Sequence, residues 1–174
     1  LDWYIDQCSC PGTSKTGLKN LRILMVLKKL INRTYCWAQK NSLWVIHFNT
    51  GGCNGCDIEI LDLLTPRYDV ERLGIIDKGS PRHADVLLCT GPVTKQAKDG
   101  LVQIYSQMPS PKYVVAIGSC SITGGVFVNS NTVLGGVDNA LPVDIYIPGC
   151  PARPEAIIQG LLQLRERISR SDIN

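Results

Sequence analysis

The chain has 174 residues, of which 44% are hydrophobic, and its net charge at pH 7 is +3. This length predicts one globular domain with a substantial core. The eight cysteines are too few and too dispersed for a small secreted disulfide scaffold. The first ten residues carry acids instead of a basic stretch before an apolar core, so we expect no signal peptide. A reducing compartment is therefore predicted, in which the cysteines are metal ligands or buried thiols.

The charge is unevenly distributed along the chain. Residues 1–42 carry seven Lys or Arg and two Asp, a net charge of +5, whereas residues 43–174 carry −2. We therefore divide the chain into a basic N-terminal extension, 1–42, and an α/β domain, 43–174. The extension predicts docking to a lipid surface or to a partner subunit. Nucleic acid is not an expected partner, because the domain has no basic stripe with interleaved aromatic residues.

The extension begins irregularly, and its apolar spacing then predicts one helix over residues 19–40. This helix is expected to pack on the body or a neighbouring subunit, or to lie on a membrane interface. It contains no apolar run of the roughly 18–20 residues that a membrane-spanning helix needs.

From residue 43 the sequence alternates between short apolar β-type runs and helical segments. The predicted strands are 43–48, 84–90, 113–117 and 143–147. The predicted helices are 57–64, 95–107 and 154–169. Such alternation is typical of a mostly parallel sheet covered by helices on both faces. We therefore predict a flavodoxin-like, doubly wound α/β fold with an N-terminal helical extension.

Four cysteines follow predicted strands in loops that contain Gly or Pro. Cys53 and Cys56 lie in TGGCNGCDIE, Cys120 in IGSCSITGG and Cys150 in IPGCPARPE. Ligand sites of open α/β sheets lie outside the carboxyl ends of the strands, so these thiols are expected to meet. Several thiolates at one point favour an iron–sulfur cluster or another soft metal.

Three alternatives to an iron–sulfur cluster remain open at this level. A structural zinc site typically uses two short-spaced cysteine pairs, whereas Cys120 and Cys150 are single and far apart. A redox-active dithiol at Cys53 and Cys56 would not need the two distant cysteines. The third alternative is that these cysteines simply pack in the core.

The other four cysteines have simpler predicted roles. Cys89 lies within a strand and is expected to be a small buried residue. Cys36 is expected to pack on the basic helix. Cys8 and Cys10 form a CxC sequence that either helps to hold a metal or is incidental or in contact with another subunit.

Several polar residues lie near the predicted site. Glu59 comes three residues after Cys56 and is either a proton relay beside a cluster or a capping or solvent-facing acid. Asp57 is predicted to cap the helix that follows the first motif. The two histidines, His47 and His83, are interpreted as hydrogen-bonded structural residues. Three arginines are placed in turns around the cysteine face, where they pair with a partner's acids, polarise the cluster or are solvated: Arg67, Arg82 and Arg153.

The motifs CNGCDIE, LTPRYDVER, GSPRHADVLLCTGPVT, AIGSCSITGG and PGCPARPEAI resemble the small subunit of membrane-bound, energy-converting [NiFe] hydrogenases. This family is related to the cluster-bearing small subunit of respiratory complex I. The resemblance runs from about Trp44 to Leu164. Complex I relatives usually have two adjacent cysteines in the first motif, so the sequence from Cys53 to Cys56 favours the hydrogenase branch. Residues 1–42 match no family that we can name.

The resemblance implies one [4Fe–4S] cluster bound by Cys53, Cys56, Cys120 and Cys150. It implies that this cluster is the proximal one, which passes electrons from ferredoxin-type clusters of another subunit to a nickel–iron site in a large subunit. Ferredoxin would be the donor to the complex, and membrane subunits would couple proton reduction to ion translocation. The chain would then be peripheral, on the cytoplasmic side of the cell membrane. Glu59 matches the acid that follows the first motif in both branches. The alternative is the same relay role in a nickel-free relative that reduces sulfane sulfur or quinone.

Overall fold

The structure is a computed structural model that describes residues 34, 38 and 41–171. Strands and helices are numbered here within these residues. The strands are β1 (Leu43–Asn49), β2 (Ile75–Asp77), β3 (Val86–Thr90), β4 (Val93–Thr94), β5 (Tyr113–Ile117), β6 (Val133–Gly135) and β7 (Ile145–Ile147). The α-helices are α1 (Gly55–Asp62), α2 (Lys95–Gln107), α3 (Ser119–Thr123) and α4 (Pro154–Ser171).

Five strands form one sheet in the order β2-β1-β3-β5-β7, and every neighbouring pair is parallel. Counted along the chain, this is the 2-1-3-4-5 order of flavodoxin-like folds. The predicted fold class is therefore confirmed. The strand order reverses between β1 and β3, and such a switch point opens a crevice at the carboxyl ends of the strands. β4 and β6 form a separate antiparallel pair beside this sheet.

Two apolar layers cover the two faces of the sheet. One layer contains Ile60, Leu63 and the buried face of α4, and the other contains Leu101 of α2 and Met108. Alternate residues of β3 enter opposite layers, because successive side chains of a strand point to opposite faces. All five residues of β3 are buried, which explains its unbroken apolar sequence.

The predicted element bounds agree best where a local signal sets them. Helix α2 has both predicted ends, and its N-terminus is capped by the Thr94 hydroxyl, which accepts from the Ala97 N–H at 3.2 Å. The predicted strand 143–147 is shortened to β7. At its start, the Asp144 side chain accepts from the Val114 N–H at 2.8 Å. The prediction missed β2, β4 and β6, which have only two or three residues each and show no readable period.

Two further predictions concern the N-terminal extension and membrane spans. Of the predicted helix over 19–40, the structure describes only residues 34 and 38, which are helical, and Cys8, Cys10 and Cys36 lie outside the described residues. The boundary at residue 42 therefore stays a prediction. Within the described residues, no helix combines the length and the apolar character needed to cross a membrane.

Candidate metal centre

Four cysteines meet at the carboxyl edge of the sheet. Cys53 and Cys56 follow β1, Cys120 follows β5 and Cys150 follows β7. All four line one cavity of about 80 Å³, together with Gly52, Asn54, Gly55, Asp57, Thr90, Gly91, Ser119, Gly149 and Pro151. The parallel sheet thus brings together thiols that are up to 97 residues apart in the chain, as their positions after three of the four predicted strands indicate.

The thiols differ in exposure and influence one another electrostatically. Cys53 and Cys150 are exposed, whereas Cys56 and Cys120 are half-buried. Burial raises the pKa of the Cys56 thiol, a hydrogen bond from the Ala152 N–H opposes this, and Asp57, Cys53 and Cys150 raise it further. Burial also raises the pKa of Cys120, with smaller contributions from the other three thiols. Four thiolates here would repel one another, so a positively charged group must bind if all four are to be ionised.

Two glycines let the backbone approach the sulfurs closely. Gly118 has a φ of +89°, and a Cβ atom there would lie 2.6 Å from the Cys56 Sγ. Gly125 has a φ of +53°, and its Cβ would lie 2.9 Å from the Cys120 Sγ. Both positions disfavour a side chain, because a positive φ strains a residue with a Cβ and that Cβ would come too close to the sulfur.

The donors and the available space fit a cluster better than a single ion. Among the described residues, no three Cys, His, Asp or Glu side chains converge closely enough to hold one metal ion. Tetrahedral zinc needs its sulfurs about 2.3 Å from a single centre. A cavity of about 80 Å³ is several times the roughly 10–15 Å³ that one water molecule needs. Thiolate sulfur is also the usual ligand of iron–sulfur clusters.

A polar network lies on the wall of this cavity. The Asp57 Oδ1 atom is 2.9 Å from His47 Nε2 and also accepts from the Thr90 hydroxyl, while Asp57 Oδ2 accepts from the Asn49 amide. The prediction that Asp57 caps helix α1 is wrong. The N-cap residue is Asn54, in a left-handed conformation with a φ of 65°, and no side chain caps this helix end. The structural interpretation of His47 is confirmed.

The other predicted site residues are not among the described residues that line the cavity. Glu59 is half-buried on α1 and does not belong to the described residues that line the cavity, so its relay role stays a prediction. Arg153 lies three residues after Cys150. The placement of Arg82 at the cysteine face is wrong, because it precedes β3 and therefore lies at the amino edge of the sheet. His83 is hydrogen-bonded, with Nδ1 3.2 Å from the Ser80 Oγ.

Cys89 is separate from this group of thiols. It is fully buried in β3, and burial raises its pKa to about 12. The sequence-based interpretation of Cys89 as a small core residue is confirmed. Sequence reasoning missed Asn49 and Thr90, although each lies at the carboxyl end of a strand, where a polar side chain is a signal for a site.

The chain was compared with known protein families and proteins. Residues 53–164 match the family described as NADH ubiquinone oxidoreductase, 20 Kd subunit. The chain belongs to this family. It is 52% identical over 129 residues to the probable membrane-bound hydrogenase subunit mbhJ of Pyrococcus furiosus, covering 74% of the chain and 77% of that relative. It is 46% identical over 149 residues to the NAD(P)H-quinone oxidoreductase subunit K of Nostoc punctiforme, covering 85% of the chain but 60% of that relative.

Two chains of solved structures are also similar to this chain. One chain of the membrane-bound sulfane sulfur reductase, an archaeal respiratory membrane complex, is 42% identical with a TM-score of 0.71, covering 79% of this chain and 76% of that chain. A chain of an NAD⁺-reducing [NiFe]-hydrogenase is 17% identical with a TM-score of 0.56, covering 72% of this chain and 92% of that chain, which shows a shared fold alone. The resemblance read from the motifs is therefore confirmed. The family makes the chain a subunit of an oxidoreductase complex, and the matched range includes all four cavity cysteines.

Proposed function

We propose that the chain is an electron-transfer subunit that holds one [4Fe–4S] cluster on Cys53, Cys56, Cys120 and Cys150. The observation that carries this proposal is the meeting of four thiols from three strand ends around one cavity of about 80 Å³. When bound, such a cluster takes up and releases single electrons at a potential set by its surroundings. The roles of the chain are to bind it, to keep its surroundings rigid and to limit water.

The residues around the cavity suit these roles. The cysteine loops are tied to each other by backbone hydrogen bonds, since the N–H groups of Gly118 and Ser119 donate to Ile147 and Gly149 at 2.8 Å each. The Ala152 N–H donates to the Cys56 sulfur, and N–H···S bonds of this kind adjust the properties of a bound cluster. Rigid strand ends change little when an electron arrives, so little reorganisation opposes the transfer.

Within a complex, we propose that the cluster is the proximal one of a membrane-bound [NiFe] hydrogenase. Electrons would come from ferredoxin through a ferredoxin-like iron–sulfur subunit, and a large catalytic subunit would use them to reduce protons to H₂. Membrane subunits would couple this reaction to ion translocation, and the chain would lie peripherally on the cytoplasmic side. The 52% identity to a probable membrane-bound hydrogenase subunit supports this assignment. So does the two-residue gap between Cys53 and Cys56.

A second candidate keeps the relay role and changes the terminal acceptor. The chain is 42% identical to a chain of a sulfane sulfur reductase and 46% identical to a quinone oxidoreductase subunit. A nickel-free complex of this kind would reduce sulfane sulfur or quinone at a site in another subunit.

The nickel and iron content of the native complex that contains this chain separates these candidates. The hydrogenase proposal expects abundant iron and about one nickel per copy of the chain, with H₂ formed from reduced ferredoxin. Abundant iron without nickel would overturn the hydrogenase assignment and favour the second candidate. A complex without iron would overturn the electron-transfer role itself.

A further inference from the structure

The Asp57 carboxylate is a fixed charge on the wall of the cysteine cavity. Asp57 directly follows Cys56 in the chain and lines the cavity. Only 15% of its side-chain surface is exposed. Polar groups that are largely shielded from water are normally hydrogen-bonded within the protein, so donors to this carboxylate are expected.

Three side chains supply those donors. The Thr90 hydroxyl donates to Oδ1, and His47 Nε2 lies 2.9 Å from the same oxygen and 3.1 Å from the Thr90 hydroxyl. A carboxylate only accepts, so His47 must carry its hydrogen on Nε2 for this contact. The third donor is the Asn49 amide, which reaches Oδ2.

Neighbouring contacts determine the orientation of the Asn49 amide. Its Oδ1 accepts from the Gly51 N–H at 2.8 Å and from the Gly52 N–H at 2.7 Å. The amide nitrogen must therefore face the other way, towards Asp57 and towards the Asn54 Oδ1 at 3.1 Å. All three donors therefore point at the Asp57 carboxylate.

We propose that Asp57 is a potential-setting residue, whose carboxylate lowers the reduction potential of the cluster held by the four cysteines. This inference rests on the proposed function and assigns a specific role at the same site. Reduction adds one electron, and hence one negative charge, beside a carboxylate that is already negative and poorly screened by water. No proton moves at Asp57 in this step. The reduced form therefore passes its electron onward more readily, as a donor for proton reduction must.

The same negative charge acts on the cavity independently of any cluster. Burial is the main cause that raises the pKa of the adjacent Cys56 thiol, the Ala152 N–H opposes it, and the Asp57 charge adds a smaller rise. Since a thiolate and an added electron both bring negative charge into this cavity, the carboxylate disfavours both.

Asp57 also joins the first cysteine loop to β3 through Thr90, so a substitution needs a control for loop structure. Asn54 offers one. It lies on the same cavity wall, its left-handed conformation is one that Asp tolerates, and its Oδ1 already accepts from Asn49. The double variant Asn54→Asp with Asp57→Asn therefore moves the charge by three positions without changing the net charge.

The test is a redox titration of the intact complex, monitored by electron paramagnetic resonance at one pH and ionic strength. Asp57→Asn is expected to favour reduction by about tenfold or more, which is about 59 mV for a one-electron couple. The double variant is expected to recover part of this shift, because Asn54 is exposed and water screens a carboxylate there more than at Asp57. Glu71→Gln removes an exposed charge just before β2, at the amino edge of the sheet, and is expected to leave the potential unchanged.

The iron content and the reduction potential of the variants test the inference and the proposed function separately. The inference is overturned if Asp57→Asn keeps its iron with an unchanged or lower potential, or if the double variant keeps the single variant's shift. If Asp57→Asn loses its iron, the single variant Asn54→Asp is the deciding test. Its added carboxylate should lower the reduction potential of the cluster below the wild-type value. An unchanged or higher potential in Asn54→Asp would overturn the inference. A wild-type complex without iron overturns the proposed function instead.

Discussion

Replacing Gly118 by Ala tests whether the backbone cradle around Cys56 is required for cofactor binding. Gly118 has φ 89° and ψ 156°, a region that is essentially restricted to glycine and costs other residues about 1–3 kcal/mol. The new Cβ would also lie 2.6 Å from the Cys56 Sγ, whereas ordinary contact begins at 3.4 Å. The sulfur would therefore have to move by about 0.8 Å, away from the position that the other thiols share.

We expect Gly118→Ala to lower both the stability of the protein and its iron content. A loss of about 1–3 kcal/mol lowers the melting temperature of a domain of this size by about 2–12 °C. Iron per chain after anaerobic reconstitution should fall well below the wild-type value, since metal ligands must be held to within about 0.5 Å.

The assay is iron per folded chain, measured together with thermal unfolding of the cluster-free and reconstituted protein. Gly79→Ala is the matched control, because a Cβ at Gly79 meets no atom within 4 Å and its φ lies outside the glycine-specific range. It should keep both its iron and its melting temperature. The reasoning would be refuted if Gly118→Ala had wild-type iron and an unchanged melting temperature.

Three further predictions concern the cysteines and one helix cap. Cys120→Ser should lose bound iron, whereas Cys89→Ala should keep it, because Cys89 does not line the cavity. Equal iron content in the two variants would contradict the assignment of Cys120 as a ligand. Cys89 should resist alkylation at pH 8 in the folded protein, because burial raises its pKa to about 12. It should react only when the protein unfolds or as the pH approaches 12. Rapid labelling of Cys89 in the folded protein, located by mass spectrometry, would contradict this prediction. Thr94→Ala should lower the free energy of unfolding in urea by about 0.5–2 kcal/mol, because it removes the cap of α2. Thr94→Ser keeps the hydroxyl and should recover most of this stability. Equal stability of the two variants would exclude a role for the hydroxyl.

Local signals explain the parts of the fold that the sequence predicted well. Helix α2 has its predicted bounds, and the Thr94 cap seen in the structure is a local signal that sets its start. The strand β5 was also placed to the residue, since YVVAI is a β-branched run followed by glycine. The edge strand β2 was missed because three residues carry too little pattern, and only its pairing with β1 defines it as a strand.

The errors near the site have a different cause. Asp57 carries a good capping side chain close to a helix start, but its partners come from β1 and the end of β3, up to 33 residues away. Arg82 is close in sequence to the motif-rich part of the chain, but parallel strands put the residues before β3 at the edge opposite the cysteines. Neither fact can be read from spacing along the chain.

The α/β class, the positions of the four cavity cysteines after strands, their convergence at one edge of the sheet, and the family all follow from the amino-acid sequence. These features depend on periodicity, on turn residues and on short motifs, which are local along the chain. The close approach of Gly118 to Cys56, and the contacts of Asn49, His47 and Thr90 with Asp57, are visible only in the folded chain. These contacts depend on strand order and register, which are set by how two apolar layers pack on a twisted sheet and not by any single segment.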